Sequence, residues 1–324
     1  MSLSVVIVTF NSAHCIAECV NGVARVLPDC ELIVVDNMSS DATLDIASAT
    51  DARPMALQMG CNAGFGRACN TGVRRATREH VLLVNPDVVL VDAVHDELEA
   101  AFAKATLGLM AAELVAHDTR SVTGAPLFPY TSWSRELVNA AIGPFEPHEL
   151  SSRRRAAPVG APAWASAAVL LLRRSEFVSL GGFDERFFLY YEDQELGARY
   201  RRANLPIQGT AAIRAIHAKG ASSPSATEDL IHRRAWCLLS WLEFVAMRHG
   251  AERARMSWLI VRRSHRVGRA VAALLARGSQ AERMRRKAAQ MASLEEVVGD
   301  LARGARDSRH GFCPVACKVV ADVP

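Results

Sequence analysis

The chain has 324 residues, of which 50 % are hydrophobic, and this is enough for one large domain or two smaller ones. It contains no run of 18 uncharged apolar residues and no basic segment before its first apolar run, so we expect neither a membrane-spanning helix nor a secretory signal. The formal net charge is +4, and the eight cysteines are scattered rather than spaced as a zinc site, which is typical of a cytoplasmic protein in a reducing compartment.

Hydrophobic stretches alternate with segments of helical spacing through the first 90 residues. Strands are predicted at 5–8, 32–35, 56–59 and 81–84, and helices at 12–27, 40–49 and 66–77. Strand–helix alternation with short links predicts an α/β fold with a mostly parallel sheet flanked by helices. In such a sheet, ligands bind outside the carboxyl ends of the strands.

Beyond residue 90 the pattern is less regular. We predict, in chain order, a helix at 92–105, a long loop region at 117–160, a strand at 165–172, a helix ending at Arg202, a strand at 211–216 and helices from about 227 to about 302. We therefore expect residues 1–95 and 96–225 to be two halves of one domain, and residues 226–324 to be a helical extension.

Polar residues follow each of the four predicted strands. They are Thr9 and Asn11 after the first strand, Asp36, Asn37, Ser39, Ser40 and Asp41 after the second, Asn62, Gly64 and Gly66 after the third, and Asn85 and Asp87 after the fourth. One such group is compatible with turn and capping chemistry, but four on successive strands predict one concave polar site. Asp36 is a candidate ligand to a ribose or base edge, because Ser40 or Asp41 fits the alternative role of helix cap better.

Gly64-Phe65-Gly66 opens the helix that follows the third strand. It matches the start of the dinucleotide-binding fingerprint, but Cys69 stands where the third glycine belongs, so a nicotinamide site is not expected. The glycines instead permit a tight turn, or close approach of the backbone to a ligand such as a phosphate at the helix start.

Asn85-Pro86-Asp87 ends the fourth strand rigidly, because a proline stops the hydrogen-bond ladder. A diphosphate needs a divalent cation, and Mg²⁺ or Mn²⁺ prefers carboxylate oxygen. His217 follows another strand and precedes a glycine turn, so it is a candidate second ligand. An ordinary turn at Asp87 and a structural role for His217 are the alternatives, and the residues alone leave both open.

Glu192 and Asp193 follow an aromatic run at 187–191. Desolvation in such surroundings raises the proton affinity of a carboxylate and makes it a candidate general base. The alternative is the first turn of a helix, where acidic residues favour the helix dipole.

In their order and spacing, these residues resemble the inverting family 2 glycosyltransferases with the GT-A fold, and most closely the bacterial rhamnosyltransferase-like branch. The resemblance covers about residues 3–224. The segments that carry it are Val5–Ser12, Val34–Asp41, Asn62–Gly66, Asn70, Asn85–Asp87, Gly181–Phe188, Glu192-Asp193 and His217–Ser222.

The resemblance implies transfer of a sugar, with inversion, from a dTDP- or UDP-sugar to a hydroxyl of a glycan or polyprenyl-linked acceptor in bacterial polysaccharide or cell-envelope glycan synthesis. L-Rhamnose from dTDP-rhamnose is a candidate donor sugar. The resemblance implies that the nucleoside is contacted by Thr9, Asn11 and Asp36, and that the nucleotide-sugar pocket is lined by Asn62, Gly64, Asn70 and Asn85. It implies that Mg²⁺ or Mn²⁺ is bound by Asp87 and His217 and that Asp193 is the general base, with Glu192 beside it. The residues implied for the acceptor side are Trp164, Gly182, Phe183 and Asp184. Asn85 departs from the family's Asp-x-Asp motif, which weakens the expected cation site.

Two alternatives remain open. A nucleotidyltransferase that makes a nucleotide-sugar starts with a glycine-rich loop followed by Arg and Pro, whereas this chain has Thr9-Phe10-Asn11-Ser12. The other alternative is an inactive nucleotide-sugar-binding scaffold protein, against which the intact Asp87, Asp193 and His217 argue.

The C-terminal third is basic. Residues 225–324 carry 18 basic and 10 acidic side chains, whereas residues 1–224 carry 20 and 24. Apolar residues interleave with the arginines at helical spacing: Trp236, Leu239, Leu242, Val245, Trp258, Val261, Val267, Val271 and Leu274. This pattern suits helices on an anionic membrane surface, at the inner face of the plasma membrane, and the alternative is a helical cap packed on the enzyme body. No nucleic-acid recognition motif is present, so no nucleic-acid partner is expected, and a homodimer is left open.

Overall fold

The computed structural model describes residues 2–115, 122–124, 127–142, 163–217, 227–275 and 281–302. The chain divides into two compact units. The first, here the sheet unit, comprises Met1–Tyr130, Arg154–Glu185 and Glu192–Pro224. The second, here the helical unit, comprises Thr131–Arg153, Arg186–Tyr191 and Ser225–Pro324.

The alternation predicted for the start of the chain is confirmed. Its elements are β1 (Leu3–Thr9), α1 (Ile16–Val26), β2 (Glu31–Asp36), α2 (Thr43–Ser48), β3 (Met55–Gln58), α3 (Phe65–Arg75) and β4 (His80–Val84). These four strands are parallel neighbours in the order β3-β2-β1-β4. Their carboxyl ends therefore lie at one edge of the sheet, where the sequence predicted the polar site.

Antiparallel strands from later in the chain complete a mixed sheet. The further elements of the sheet unit are β5 (Val88–Ala93), α4 (His95–Phe102), β6 (Leu109–Val115), β7 (Val122–Gly124), β8 (Leu127–Pro129), β9 (Ala163–Ala165), β10 (Val169–Arg173), α6 (Arg174–Ser179), α7 (Glu192–Arg202) and β11 (Ile207–His217). The described strands run β3-β2-β1-β4-β10-β6-β11-β5, with β7 beside β6, and β8 and β9 form a separate pair. β10 joins β4 and β6 antiparallel, β11 joins β6 parallel, and β5 joins β11 antiparallel.

Three predicted elements need correction. The helix predicted at 92–105 begins only at His95, because residues 88–93 form β5 and pair with β11. The strand predicted at 165–172 is split by a turn at 167–168 between β9 and β10. The region 117–160 contains β7, β8 and a helix, so its described part is not a loop.

Both faces of β1, β2 and β4 are buried. α1 packs on one face through Ile16, Val20 and Val23, and α3 packs on the other through Ala68 and Val73. Burial on both faces explains why these strands have continuous hydrophobic sequences.

α3 lies very close to the sheet. A Cβ placed on Gly72 would come within 2.3 Å of Val6 Cγ1, so only glycine permits this separation. Such overpacking costs about 1–3 kcal/mol. The close contact fixes the N-terminus of α3, with Gly64 and Gly66, beside the polar ends of β1 and β2.

The helical unit contains α5 (Trp133–Ile142), α8 (Thr227–His249), α9 (Ala251–Leu275) and α10 (Ala281–Ala302), so the helices predicted from 227 to 302 are confirmed. Buried polar contacts join them: Trp241 Nε1 donates to Glu136 Oε2 at 3.0 Å, and Trp133 Nε1 donates to Ser257 Oγ at 2.9 Å. None of the described helices combines the length and apolarity that crossing a bilayer requires.

The apolar residues predicted to face a membrane divide into two groups. Those buried within the helical unit are Trp236, Leu239, Leu242, Val245, Trp258 and Val261. Val267 and Val271 are exposed, and the side chain of Leu274 lies outside the described residues. The buried group therefore does not supply an exposed face for lipid.

Candidate active site

The carboxyl ends of β1 and β2 place Thr9 and Asp36 side by side as strand partners. Asn37 N donates to Thr9 O at 2.8 Å, which extends the ladder one residue past the strands. Thr9 is buried, and its hydroxyl oxygen has no hydrogen-bond partner among the described residues. A buried hydroxyl without a partner is costly, so this oxygen is a candidate ligand contact.

Asp36 and Asn11 build the loop at this edge. Asp36 is fully buried, and its carboxylate accepts from the backbone N–H of Ser39 at 3.0 Å and from the Ser39 hydroxyl. Asn11 Oδ1 accepts from Ser40 N at 2.8 Å, and Asn11 N donates to Ser39 Oγ at 2.8 Å. Each Asp36 oxygen keeps further acceptor capacity, because a carboxylate accepts about four hydrogen bonds.

A second network ties this loop to the start of α3. Asn37 Nδ2 donates to Asn62 Oδ1 at 2.8 Å, and Asn37 Oδ1 accepts from Ala63 N at 2.9 Å. Asn62 Oδ1 also accepts from Gly64 N at 3.3 Å. Asn62 therefore shapes the turn before α3, and Gly64, at φ 87°, supplies the left-handed residue that the turn requires. From the sequence, Asn37 was grouped with the polar residues after the second strand but was given no role of its own.

Asp87 and His217 meet at the ends of β4 and β11. Asp87 Oδ1 lies 3.2 Å from His217 Nε2, and Asp87 is buried. β11 delivers the histidine, because His217 is the strand partner of Val88. Asn85 stands two residues before Asp87 in the sequence, and its buried Oδ1 has no hydrogen-bond partner among the described residues.

The donor set fits a weakly held divalent cation. Two neighbouring ligand atoms on an octahedral Mg²⁺ or Mn²⁺ ion are about 3.0 Å apart, which is close to the separation of Asp87 and His217. No group of three or more His, Cys, Asp or Glu side chains suited to a metal occurs in the described part of the chain. A cation with few protein ligands completes its shell with water and substrate phosphate oxygens.

Asn70, assigned from the resemblance to the nucleotide-sugar pocket, forms a clamp on Phe183. Its Nδ2 donates to Phe183 O at 2.9 Å, and its Oδ1 accepts from Phe183 N at 2.8 Å. Nδ2 also donates to Glu185 Oε1 at 3.2 Å. The amide thus holds the loop before the acidic pair, which is a positioning role.

The two hydrogen bonds between Asn70 and Phe183 restrict which residues fit next to them. Gly182 has φ 70°, and a Cβ on it would lie 2.5 Å from Asn70 Oδ1, so a side chain is excluded there. Phe183 is buried, with its ring 5.4 Å from that of Phe177, and Asp184 is half-buried. Gly182 and Phe183, assigned to the acceptor side, therefore form the packed interior of this loop.

The acidic pair begins α7, so the helix-start interpretation is confirmed, and the assignment of a general base stays a prediction. Glu192 is buried and Asp193 is half-buried, with Asp193 Oδ1 accepting from Gln194 N at 2.8 Å. Burial, and after it the neighbouring Asp193 charge, raises the pKa of Glu192 well above its ordinary value. The preceding backbone is strained, since Tyr190 and Tyr191 have φ values of 69° and 68°.

Because Gly66 has no side chain, the start of α3 can pack closely against the segment that carries the acidic pair. A Cβ on Gly66 would lie 2.9 Å from Phe183 Cβ and 3.8 Å from Glu192 Cβ. The first turn of α3 therefore packs directly against the loop and the helix that carry the carboxylates. Trp164 lies on the other side of α7, where a Cβ on Gly197 would be 3.1 Å from Trp164 Cβ.

Comparison with known proteins agrees with this geometry. The family described as "Glycosyl transferase family 2" matches residues 4–122, which contain the ends of β1 to β4 and the start of α3. Residues 4–122 are a family 2 glycosyltransferase domain. The chain is 29 % identical over 250 residues to the N-acetylglucosaminyl-diphospho-decaprenol L-rhamnosyltransferase of Mycobacterium tuberculosis, covering 71 % of this chain and 79 % of that protein.

Other similarities are more distant. The chain is 27 % identical over 169 residues to rhamnosyltransferase WbbL of Escherichia coli K12, covering 48 % of this chain and 60 % of that protein. A mannosyltransferase of Pyrobaculum calidifontis, solved in complex with GDP-Man and Mn²⁺, superposes with a TM-score of 0.51 at 16 % identity, covering 92 % of this chain and 86 % of the other. The expected GT-A fold is confirmed by this structural similarity.

Proposed function

We propose that the protein transfers a sugar from a nucleoside diphosphate sugar to an acceptor hydroxyl, with inversion at the anomeric carbon. The observation that carries this proposal is the packing of Gly66 against Phe183 and Glu192. It puts a buried carboxylate at the helix start that follows the polar strand ends. A donor held at those ends would therefore turn its anomeric carbon toward the acidic pair, with the diphosphate leaving from the opposite face.

Thr9, Asn11 and Asp36 are assigned to the nucleoside. The unpartnered Thr9 hydroxyl and the remaining acceptor capacity of the Asp36 carboxylate are suited to the hydroxyl and N–H groups of a ribose or base. The first turn of α3 has free backbone N–H groups and the positive end of the helix dipole, which suit a phosphate. Asn62 and Gly64 hold that turn in place.

Asp87 and His217 would hold a divalent cation at the diphosphate, with Asn85 beside them. When bound, the cation would offset the negative charge that develops on the departing diphosphate. Support comes from the 3.2 Å separation of Asp87 and His217 and from the Mn²⁺ in the mannosyltransferase of the same fold. A histidine and one carboxylate bind less tightly than two carboxylates, so we expect weak affinity and dependence on the bound donor.

Asp193 is assigned as the general base. It would accept the proton of the acceptor hydroxyl while the acceptor oxygen bonds to the anomeric carbon, and the bond from that carbon to the diphosphate would break in the same displacement. Glu192 holds its proton to higher pH because it is buried, so it suits a hydrogen-bond donor to substrate better than a base. A single displacement inverts the anomeric centre.

L-Rhamnose from a dTDP donor is the proposed sugar, and a polyprenyl-diphosphate-linked glycan the proposed acceptor. Rhamnose is named for the relatives in Mycobacterium tuberculosis and Escherichia coli, and the decaprenol-linked acceptor for the former alone. The dTDP form of the donor rests on the family resemblance. The biological setting proposed is bacterial cell-envelope glycan synthesis.

Calorimetry combined with one substitution tests the proposal. The wild type should bind dTDP or UDP, and more tightly with Mn²⁺ present. Asp193→Asn should abolish transfer and keep the nucleotide affinity, whereas the control Asp45→Asn, at an exposed carboxylate on α2, should change neither. Absence of binding to both nucleotides would contradict the donor assignment, and unchanged transfer by Asp193→Asn would contradict the base assignment.

A further inference from the structure

α9 has two opposite faces. The face packed into the helical unit includes Ala254, Ser257, Trp258, Val261 and His265, all buried. The opposite face exposes large apolar side chains to between 39 % and 63 % of their surface: Met256, Leu259, Ile260, Val267 and Val271. A soluble helix normally places polar side chains on this side.

The exposed apolar residues form one continuous stripe. Their spacing places them within about 120° of the helix circumference, over a length of about 22 Å. Arg263 lies in the middle of the stripe and is itself exposed. We call these six residues, Met256, Leu259, Ile260, Arg263, Val267 and Val271, the α9 face.

One flank of the α9 face is cationic. Arg262, Arg266 and Arg269 all contact the carboxylate of Glu295 on α10, at 2.9, 2.9 and 3.1 Å. The three guanidinium groups share this one carboxylate, and the helix as a whole has six arginines and one glutamate.

We propose that the α9 face docks on an anionic phospholipid surface. An apolar stripe bordered by arginines is the arrangement of a helix that lies in the membrane interface, with its apolar side chains below the headgroups and its guanidinium groups among the phosphates. The long stem of Arg263 lets its charge reach the headgroups while its methylenes stay in the apolar layer. A second copy of the chain is a poorer occupant, because two such faces would bring like charges together.

This face coincides only in part with the surface expected from the sequence. Val267 and Val271 were expected there, whereas the tryptophans and leucines of α8 that were assigned to lipid are buried, and Met256, Leu259 and Ile260 of α9 are exposed instead. The proposal concerns the helical unit alone and does not depend on the sugar-transfer reaction.

Vesicle sedimentation of the full-length protein tests the proposal without any measurement of turnover. Vesicles of phosphatidylglycerol and phosphatidylcholine should bind the wild type, pure phosphatidylcholine vesicles should bind it much less, and high salt should release it. Leu259→Ser combined with Ile260→Ser should weaken binding about tenfold or more. Arg263→Gln should weaken binding about fivefold.

The matched control is Val138→Ser combined with Val178→Ser, which removes two equally exposed apolar side chains elsewhere and should leave binding unchanged. Unfolding midpoints close to that of the wild type will show that all variants are folded. Equal binding to neutral and anionic vesicles, or equal loss in the control, would overturn the proposal. So would a wild-type dimer that Leu259→Ser/Ile260→Ser converts to a monomer without any loss of vesicle binding.

Discussion

Asn70→Leu should separate the positioning of the acidic pair from the binding of the donor. Leucine has a similar size, but it leaves the buried N–H and C=O of Phe183 without partners. Each such group costs about 1–3 kcal/mol, so we expect the free energy of unfolding to fall by about 2–6 kcal/mol. For a protein of this size, that lowers the unfolding midpoint by about 4 °C or more.

The effect on activity should fall on kcat. The loop at Phe183 packs on Gly66 and precedes the helix of Glu192 and Asp193, and a displacement of 1 Å at a reacting group can cost about 100-fold in rate. The affinity for dTDP should change little, because the hydrogen bonds that shape the loop at Asp36 do not involve Asn70.

Two further variants sharpen the test. Asn70→Asp keeps the acceptor for Phe183 N but faces a second carboxylate at Glu185, so it should be impaired as well, and more at high pH. Thr71→Ala is the matched control, since the Thr71 hydroxyl is exposed and donates only within α3, to Arg67 O. An Asn70→Leu enzyme that loses stability but keeps its kcat would refute the positioning role, and one that keeps its stability would refute the clamp itself.

Three other predictions follow from the site. In the wild type, the raised pKa of the buried Glu192 lets it keep its proton in the folded state at a pH at which the unfolded chain has lost it. The free energy of unfolding of the wild type should therefore fall as the pH rises above the ordinary glutamate range. Glu192→Gln should remove this fall. Urea unfolding at pH 5 and pH 8 measures this, and an identical slope in wild type and variant would contradict the burial of the group. His217→Ala should raise the Mn²⁺ concentration needed for half-maximal activity, and His217→Gln should raise it less; equal Mn²⁺ requirements in all three proteins would exclude His217 as a ligand. Gly66→Ala should lower kcat about tenfold or more because its Cβ would meet Phe183, whereas Gly60→Ala, which has open space around it, should leave kcat unchanged; a fully active Gly66→Ala enzyme would contradict the close packing.

The sequence predicted the helices and strands whose hydrophobic pattern lies within a few neighbouring residues. β1, β2 and β4 are buried on both faces and have unbroken hydrophobic sequences, so they were found, and so were the polar residues at their ends. β5 was missed because it directly follows the Asn85-Pro86-Asp87 turn and leads into α4 after one residue, so its last two residues were assigned to the helix.

Contacts between segments far apart in the chain could not be predicted from local sequence patterns. Asn70 and Phe183 are 113 residues apart, and nothing near Asn70 indicates that its amide serves a loop rather than a ligand. The same holds for α8, whose apolar residues have helical spacing whether they face lipid or the neighbouring helices. Hydrophobic periodicity shows that a helix has an apolar face, but it does not show what that face packs against.

The product released from the donor is the most direct test of sugar transfer at the strand ends. Purified protein with Mn²⁺ should be incubated with dTDP-, UDP- and GDP-sugars, and the free nucleotide identified by chromatography. We predict slow release of a nucleoside diphosphate from one class of donor, with dTDP-rhamnose favoured, and loss of this release in Asp87→Ala. If no donor yields a nucleoside diphosphate, or if the protein instead forms a nucleotide-sugar and diphosphate from a nucleoside triphosphate and a sugar phosphate, the proposed transfer is contradicted.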